Sequence, residues 1–338
     1  MNKTVIALAL LAGHAGLAAA QSSVTVFGMV DNFVELGNNG KATLNRLQSG
    51  GIYGSRIGFR GTEELGGGTK ALFHLESGIN ADDGSLGQGG LLFGRQAFVG
   101  LSGNYGMLTM GRQYSPTFTT MATYGMGGGM GWGNASVDFT DLAILRVNNS
   151  INYVTPAFAG VTLKGFYALG ENATPGQSHT GNMAGGSAQY DLGEFSASLS
   201  YLERKTSTSN SDQWWTAGGA YNFGVVKTGV VVQKRKDDAK LAGTTFYELS
   251  ATVPTASGSL LLDFGSYRND IAANADARFY AIRYDHYLSK RTTAYAGYAK
   301  TKNQASAAIT INGAASGGMA VAKGDDPRAL ALGIRHIF

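Results

Sequence analysis

The chain has 338 residues, 27 Lys plus Arg against 23 Asp plus Glu, a formal charge of +4, and no cysteine. A disulfide-stapled scaffold and any thiolate metal site are therefore excluded. The small basic excess is scattered rather than gathered into a stripe, which argues against nucleic-acid binding. After residue 20 no apolar run approaches the roughly 18 residues that a spanning helix needs.

Residues 1–20 read as an export leader. Lys3 gives the positive start, "VIALALLAGHAGLAAA" the apolar run, and Ala18, Ala19 and Ala20 the small-residue cleavage site, so the mature chain is expected to cover 21–338. Further on, "TYGMGGGMGWGNASVDFTD", Thr123 to Asp141, interrupts the strand-like pattern with a run of Gly and Met. Gly at that density resists both helix and strand, because each one ordered costs backbone entropy. An irregular loop is expected there, and connections of about thirty residues are uncommon unless they are functional.

Strict alternation then resumes. "VTLKGFYAL" sets Val161, Leu163, Gly165 and Tyr167 against Thr162 and Lys164, and "EFSASLSYLER" sets Phe195, Ala197, Leu199 and Tyr201 against three serines. "VVKTGVVVQ" sets Val226, Thr228, Val230 and Val232 against Lys227, Gly229 and Gln233, and "ALALGIRHIF" closes the chain in the same way. Period-2 alternation means strands with one oily and one polar face. Spacing and turn signals give about sixteen of them. Tight connections at 103–106, 192–194 and 289–291 alternate with longer ones at 81–90, 171–183, 204–212 and 303–325.

Aromatic residues gather near strand ends: Tyr190, Tyr201, Trp214, Trp215, Tyr221, Phe223, Tyr284, Tyr287 and Tyr295. Such rings would form the two girdles of an outer-membrane barrel. A β-sandwich turns its apolar faces toward each other. Here the second face stays polar strand after strand, as a hydrated lumen requires, and sixteen closed strands leave room for one. The expected fold is all-β, a 16-stranded antiparallel transmembrane β-barrel with short turns at one end and long loops at the other.

Five stretches, "SSVTVFGMVD", "SRIGFRGTEELGGGTKALFHLESG", "LFGRQAFVGLSGNYGMLTMGRQ", "RVNNSINYVTP" and "LALGIRHIF", occur in an order that resembles the Gram-negative general porins, most closely the β-proteobacterial trimeric outer-membrane porins. The resemblance runs from the leader to the last residue. It implies an outer-membrane homotrimer whose third external loop, about residues 114–145, folds inward and narrows a water-filled channel for small hydrophilic solutes and ions. It implies no cofactor. It also implies that loop carboxylates, Asp138 and Asp141, face arginines on the opposite wall, Arg56, Arg95, Arg112 and Arg146. A terminal Phe338 would address the chain to the barrel assembly machinery.

Alternation supports Arg56, with Ile57 and Phe59 toward lipid, and supports Arg95 if Gln96 and Phe98 point outward; for Arg112 the neighbours are mixed. Asp31, Lys164, Lys227, Asp263 and Arg283 are further inward positions. With four arginines against two aspartates, a weak anion preference is expected. An enzyme barrel would need a histidine beside a serine or carboxylate, and the five histidines are dispersed, so no catalytic site is expected. Nor do they give metal-ligand spacing. A substrate-specific channel, for a sugar or an anion, is the alternative; Tyr124 and Trp132 would supply its aromatic slide, but anchoring of the loop is the expected role of both rings.

Overall fold

The computed structural model describes residues 23–312 and 317–338; the leader expected at 1–20 lies outside the described residues. The wall is a closed antiparallel sheet of sixteen strands. In chain order they are β1 (Ser23–Asn38), β2 in two halves (Thr43–Ser49 and Arg56–Gly66), β3 (Thr69–Asn80), β4 (Gln96–Gly103), β5 (Gly106–Tyr114), β6 (Arg146–Val154), β7 (Val161–Ala168) and β8 (Met183–Leu192). They continue with β9 (Phe195–Lys205), β10 (Ser211–Asn222), β11 (Lys227–Asp237), β12 (Gly243–Thr255), β13 (Gly258–Asn269), β14 (Ala277–Tyr287), β15 (Thr292–Asn303) and β16 (Arg328–Ile337). Each pairs with its chain neighbours, and β1 pairs with β16 from Met29 opposite Ile337 to Asn38 opposite Arg328. Closure matters because lipid offers no partner to an unpaired backbone group.

The alternation read from the sequence becomes the two faces of the wall. Leu199, Trp215, Val230 and Leu249 are exposed on the outside, while their neighbours Ser200, Thr216, Val231 and Glu248 are buried within. Exposed rings do form two belts: Tyr153, Tyr190, Tyr221 and Tyr287 near the short turns, and Tyr167, Trp215 and Tyr247 near the long loops. Trp214 and Tyr295, expected in those belts, point inward instead and are 0% and 4% exposed. Trp214 has the parity opposite to Trp215, and the Tyr295 hydroxyl donates to Asp31 Oδ1 at 2.6 Å.

The second strand breaks at 50–55, between its halves, both of which pair with β1. Asp31 makes the break possible. Its Oδ2 accepts the backbone N–H groups of Ile52 and Tyr53 at 2.9 and 3.0 Å, and its Oδ1 accepts that of Gly51 at 3.3 Å. Three donors that left the ladder are thereby satisfied, as buried backbone groups must be.

At the seam Gly28 and Phe338 exchange backbone hydrogen bonds of 3.2 and 3.1 Å. A Cβ on Gly28 would meet the Phe338 ring and would lie 2.6 Å from the Arg56 carbonyl oxygen. Gly28→Val should therefore wedge the closing strands apart at a cost of about 1–3 kcal/mol. The expected outcome is loss of the heat-modifiable, compact band in detergent electrophoresis at a lower temperature than for the parent chain.

Candidate functional site

The long connection between β5 and β6 does not leave the barrel; it lies inside and packs on the walls of β9 to β14. It is less irregular than its glycines suggest. Helix α1 (Pro116–Tyr124) begins with Ser115 accepting the Phe118 N–H and with Pro at the first turn, and α2 (Ala135–Phe139) begins with Asn134 accepting the Val137 N–H. Both starts follow ordinary capping chemistry. The glycines fall between the helices, where the backbone presses on the wall: a Cβ on Gly131 would collide with the Ile52 carbonyl oxygen.

Carboxylates of the wall hold this loop by its backbone. Glu248 accepts the Met126 N–H at 2.8 Å and the Ser136 N–H at 3.1 Å, and also takes the Ser136 hydroxyl. Asp263 accepts the Ala135 N–H at 3.1 Å, and Glu35 the Trp132 indole N–H at 3.3 Å. Arg283 donates to the Trp132 carbonyl at 2.7 Å while chelated by Asp285. On the other flank the Trp132 N–H donates to the Gly51 carbonyl at 2.7 Å, so the break in β2 is also a seat for the loop.

The six predicted residues divide. Arg56, Arg95 and Arg146 come together around a cavity of about 420 Å³ that Tyr114 and Phe118 also line. Glu76 bridges two of them, 3.1 Å from Arg56 Nη1 and 2.5 Å from Arg95 Nε. Arg95 also donates to the Tyr114 hydroxyl at 3.2 Å, and Arg146 lies over the Tyr114 ring, 5.1 Å from its centroid. Lys164 reaches the Tyr114 carbonyl at 3.1 Å.

Arg112 does not line that cavity, but shares a neighbouring one of about 560 Å³ with Arg146, Gln88 and Leu142. It follows Gly111 at a register shift, has Ala97 opposite it, and donates to the Gly94 carbonyl and to Asn148. Ala97 and Met110 belong to the lipid-facing row, and the register shift between Gly111 and Gln113 sets Arg112 apart from Arg56 and Arg95.

The register of Arg95 also differs from expectation. Gln96 and Phe98 face inward, since Glu76 pairs with Gln96 and His74 with Phe98, and Ala97, Val99 and Leu101 form the outer row. Arg95 still reaches the lumen because it precedes β4 and is not bound by that strand's alternation.

Neither aspartate opposes the arginines. Asp138 is half-buried, and its Oδ1 accepts the Asn312 N–H at 2.8 Å. Burial pushes its carboxyl well above the usual range, and nearby Glu35 and Glu248 push the same way against that hydrogen bond. Asp141 caps the turn at Leu142–Ile144 by accepting the Ala143 N–H, and its other oxygen lies 3.8 Å from Arg235. Tyr124 and Trp132 are 2% and 0% exposed, so neither can serve as an aromatic slide.

Sequence reading missed Glu76 and Glu248. The signal for Glu76 was present: in "ALFHLES" His74 and Glu76 share the parity opposite to Phe73 and Leu75, so the polar row carried a carboxylate beside the arginines.

A closed lipid-facing cylinder with a loop folded across a charged lumen defines a transmembrane channel. Residues 6–306 match the family described as Gram-negative porin, and the chain belongs to that family. It is 38% identical to outer membrane porin protein 32 of Delftia acidovorans over 358 aligned positions, 100% of both chains. It is 32% identical to an outer membrane porin protein of Bordetella pertussis over 300 positions, 78% of this chain and 76% of that one. Among solved structures it matches an anion-selective porin from Comamonas acidovorans with a TM-score of 0.83 at 34% identity, covering 94% of this chain and 100% of that one. The protein is thus an outer-membrane porin, a water-filled channel through which small hydrophilic solutes and ions diffuse.

The loop's anchoring is open to test. Glu248→Gln turns an amide N–H₂ toward donors that need an acceptor, at a cost of about 1.5–3 kcal/mol for hydrogen bonds to a charged group. The variant should show a larger or noisier single-channel conductance and a lower unfolding temperature than the parent.

Proposed function

We propose that this porin is a passive pore, not an enzyme, that prefers small anions and sets that preference at Arg56, Arg95 and Arg146, with Lys164 beside them. What supports the reading is the fate of the carboxylates. Asp31, Glu35, Glu248 and Asp263 are all at most 5% exposed and turned to backbone or side-chain donors, and Asp138, half-buried on the loop, is turned to Asn312. Among the described residues, the lumen wall at the cavity keeps three guanidinium groups and an ammonium against the single carboxylate of Glu76. The structurally similar Comamonas protein is described as anion-selective, which agrees with that imbalance.

Screening explains why the cluster is the place where charge counts. Ions at physiological salt cancel a charge over about 8 Å, so a wide vestibule is electrically quiet. A passage pinched between loop and wall to a similar width is not. In place of loop carboxylates Asp138 and Asp141 facing the arginines, the reading has a one-sided positive wall.

Two further parts of the reading concern assembly. The functional unit is taken to be a homotrimer in outer-membrane lipid, and Phe338, exposed on the last strand with its ring over Gly28, is taken as the recognition point for the barrel assembly machinery.

Reversal potentials in planar bilayers test the selectivity. At a separation near 4 Å in a water-like medium each charge is worth about 1 kcal/mol, a factor of about five in local anion concentration. Arg56→Gln, Arg95→Gln and Arg146→Gln together should abolish or invert the anion preference, while Asp138→Asn should leave it in place. An unchanged reversal potential in the triple variant would move the selectivity elsewhere. Removal of Phe338 should lower the amount of folded protein in the outer membrane without altering the conductance of channels that do form.

A further inference from the structure

Below the arginine cluster, toward the short turns, the wet face of the wall carries a row of rings where alternation calls for polar side chains. Phe27, His74 and Phe98 stand on adjacent strands with the inward parity of Arg56: Phe27 is opposite Gly58, His74 lies between Arg60 and Phe98, and the outward row is Val26, Phe59, Leu75 and Ala97. The His74 ring stacks on Phe98 at 5.3 Å between centroids and 10° between planes, and Phe27 meets His74 at 5.2 Å. Phe27 can reach across β2 because Gly58 has no Cβ; one placed there would strike the Phe27 ring.

A cation completes the row. The Arg60 guanidinium lies over the Phe27 ring, 5.1 Å from its centroid, and the residue is exposed to the lumen. Among the described residues no carboxylate lies within ion-pairing reach of Arg60. Glu76, the nearest acid on this face, is already engaged by His74, Gln96, Arg56 and Arg95. Both Phe27 and Phe98 remain half-buried rather than enclosed.

We infer that this row is a binding station for planar aromatic carboxylates, with the solute's ring against Phe98, His74 and Phe27 and its carboxylate on Arg60. The inference rests on the anion preference proposed above and gives it a chemical class. Rings on a hydrated wall lose water from their faces only when a flat apolar partner covers them, which small inorganic anions cannot do. Aromatic pairing and an unpaired guanidinium held in place by a π-face are complementary to one molecule that is both flat and anionic. Arg60 and Arg56 are four residues apart on one strand face, about 13 Å, so a carboxylate released from one station has the next in line along the wall.

Benzoate against cyclohexanecarboxylate isolates the ring, because the two share charge and size and differ in the π-face. In single-channel recordings of the full barrel in potassium chloride, benzoate should interrupt the current at concentrations about five- to tenfold lower than cyclohexanecarboxylate. Phe98→Leu and, separately, Phe27→Leu preserve bulk and should remove that ratio; Arg60→Gln should weaken block by both compounds. Equal block by the two acids in the parent channel, or a benzoate preference that survives both leucine variants, would overturn the inference. The chloride-to-potassium reversal potential, read on the same bilayers without benzoate, judges the anion preference separately. If it shows anion preference while the benzoate ratio is one, only the aromatic station falls.

Discussion

A buried carboxylate that takes backbone N–H groups is the interaction on which the shape of this channel depends. A closed sheet satisfies its own backbone, but a loop laid across the lumen has no ladder, and each of its orphaned donors costs free energy when shut away from water. Glu248, Asp263 and Asp31 supply the acceptors. Asp31 acts one step removed, by folding residues 50–55 into a ledge whose Gly51 carbonyl then receives the loop at Trp132. Without these acceptors the glycine run between the two short helices would have nothing to hold it against the wall.

The same arrangement produces the electrostatics. Taking an ionised carboxylate out of water is costly unless several donors surround it, so an acid spent on anchoring is hidden from the lumen as a condition of working at all. The overall charge of the chain is close to balanced, yet the passage is not, because the acids on one side serve the loop and the guanidinium groups on the other stay at the cavity. On the proposed reading, selectivity arises from where charges are used rather than from how many there are.

The cylinder was legible because lipid outside and water inside impose period 2 on nearly every strand, and a pattern repeated along the chain survives local exceptions. The site was legible only in part, at residues governed by that period. Arg56 sits within a strand and followed it. Arg95 reached the lumen although its neighbours were assigned to the wrong faces, since the strand begins one residue later; Arg112 was diverted by the shift at Gly111. Asp138 and Asp141 lie in the loop, where no alternation applies, and their directions follow from a helix and a turn whose placement depends on contacts with distant strands. Glu248 looked like any inward acid, because its partners at Met126 and Ser136 are more than a hundred residues away.

Anchors and proposed selectivity residues mostly occupy different strands: Glu35, Glu248 and Asp263 on β1, β12 and β13, the arginines on or beside β2, β4 and β6. Effects at well-separated sites add, whereas residues sharing a network do not. Charge preference can therefore drift through the arginine wall without loosening the loop, and the loop can be tightened without changing which ions are favoured. Glu76 and Arg283 are the points where this separation fails. Glu76 holds two of the cavity arginines in place while subtracting from their charge, so its loss would raise the positive potential and disorder the groups that carry it. Arg283 bonds the loop at Trp132 and is itself fixed by Asp285. An anchor made of a cation must bring its own counterion, whereas the anchoring acids Glu248 and Asp263 take the loop's own backbone N–H groups.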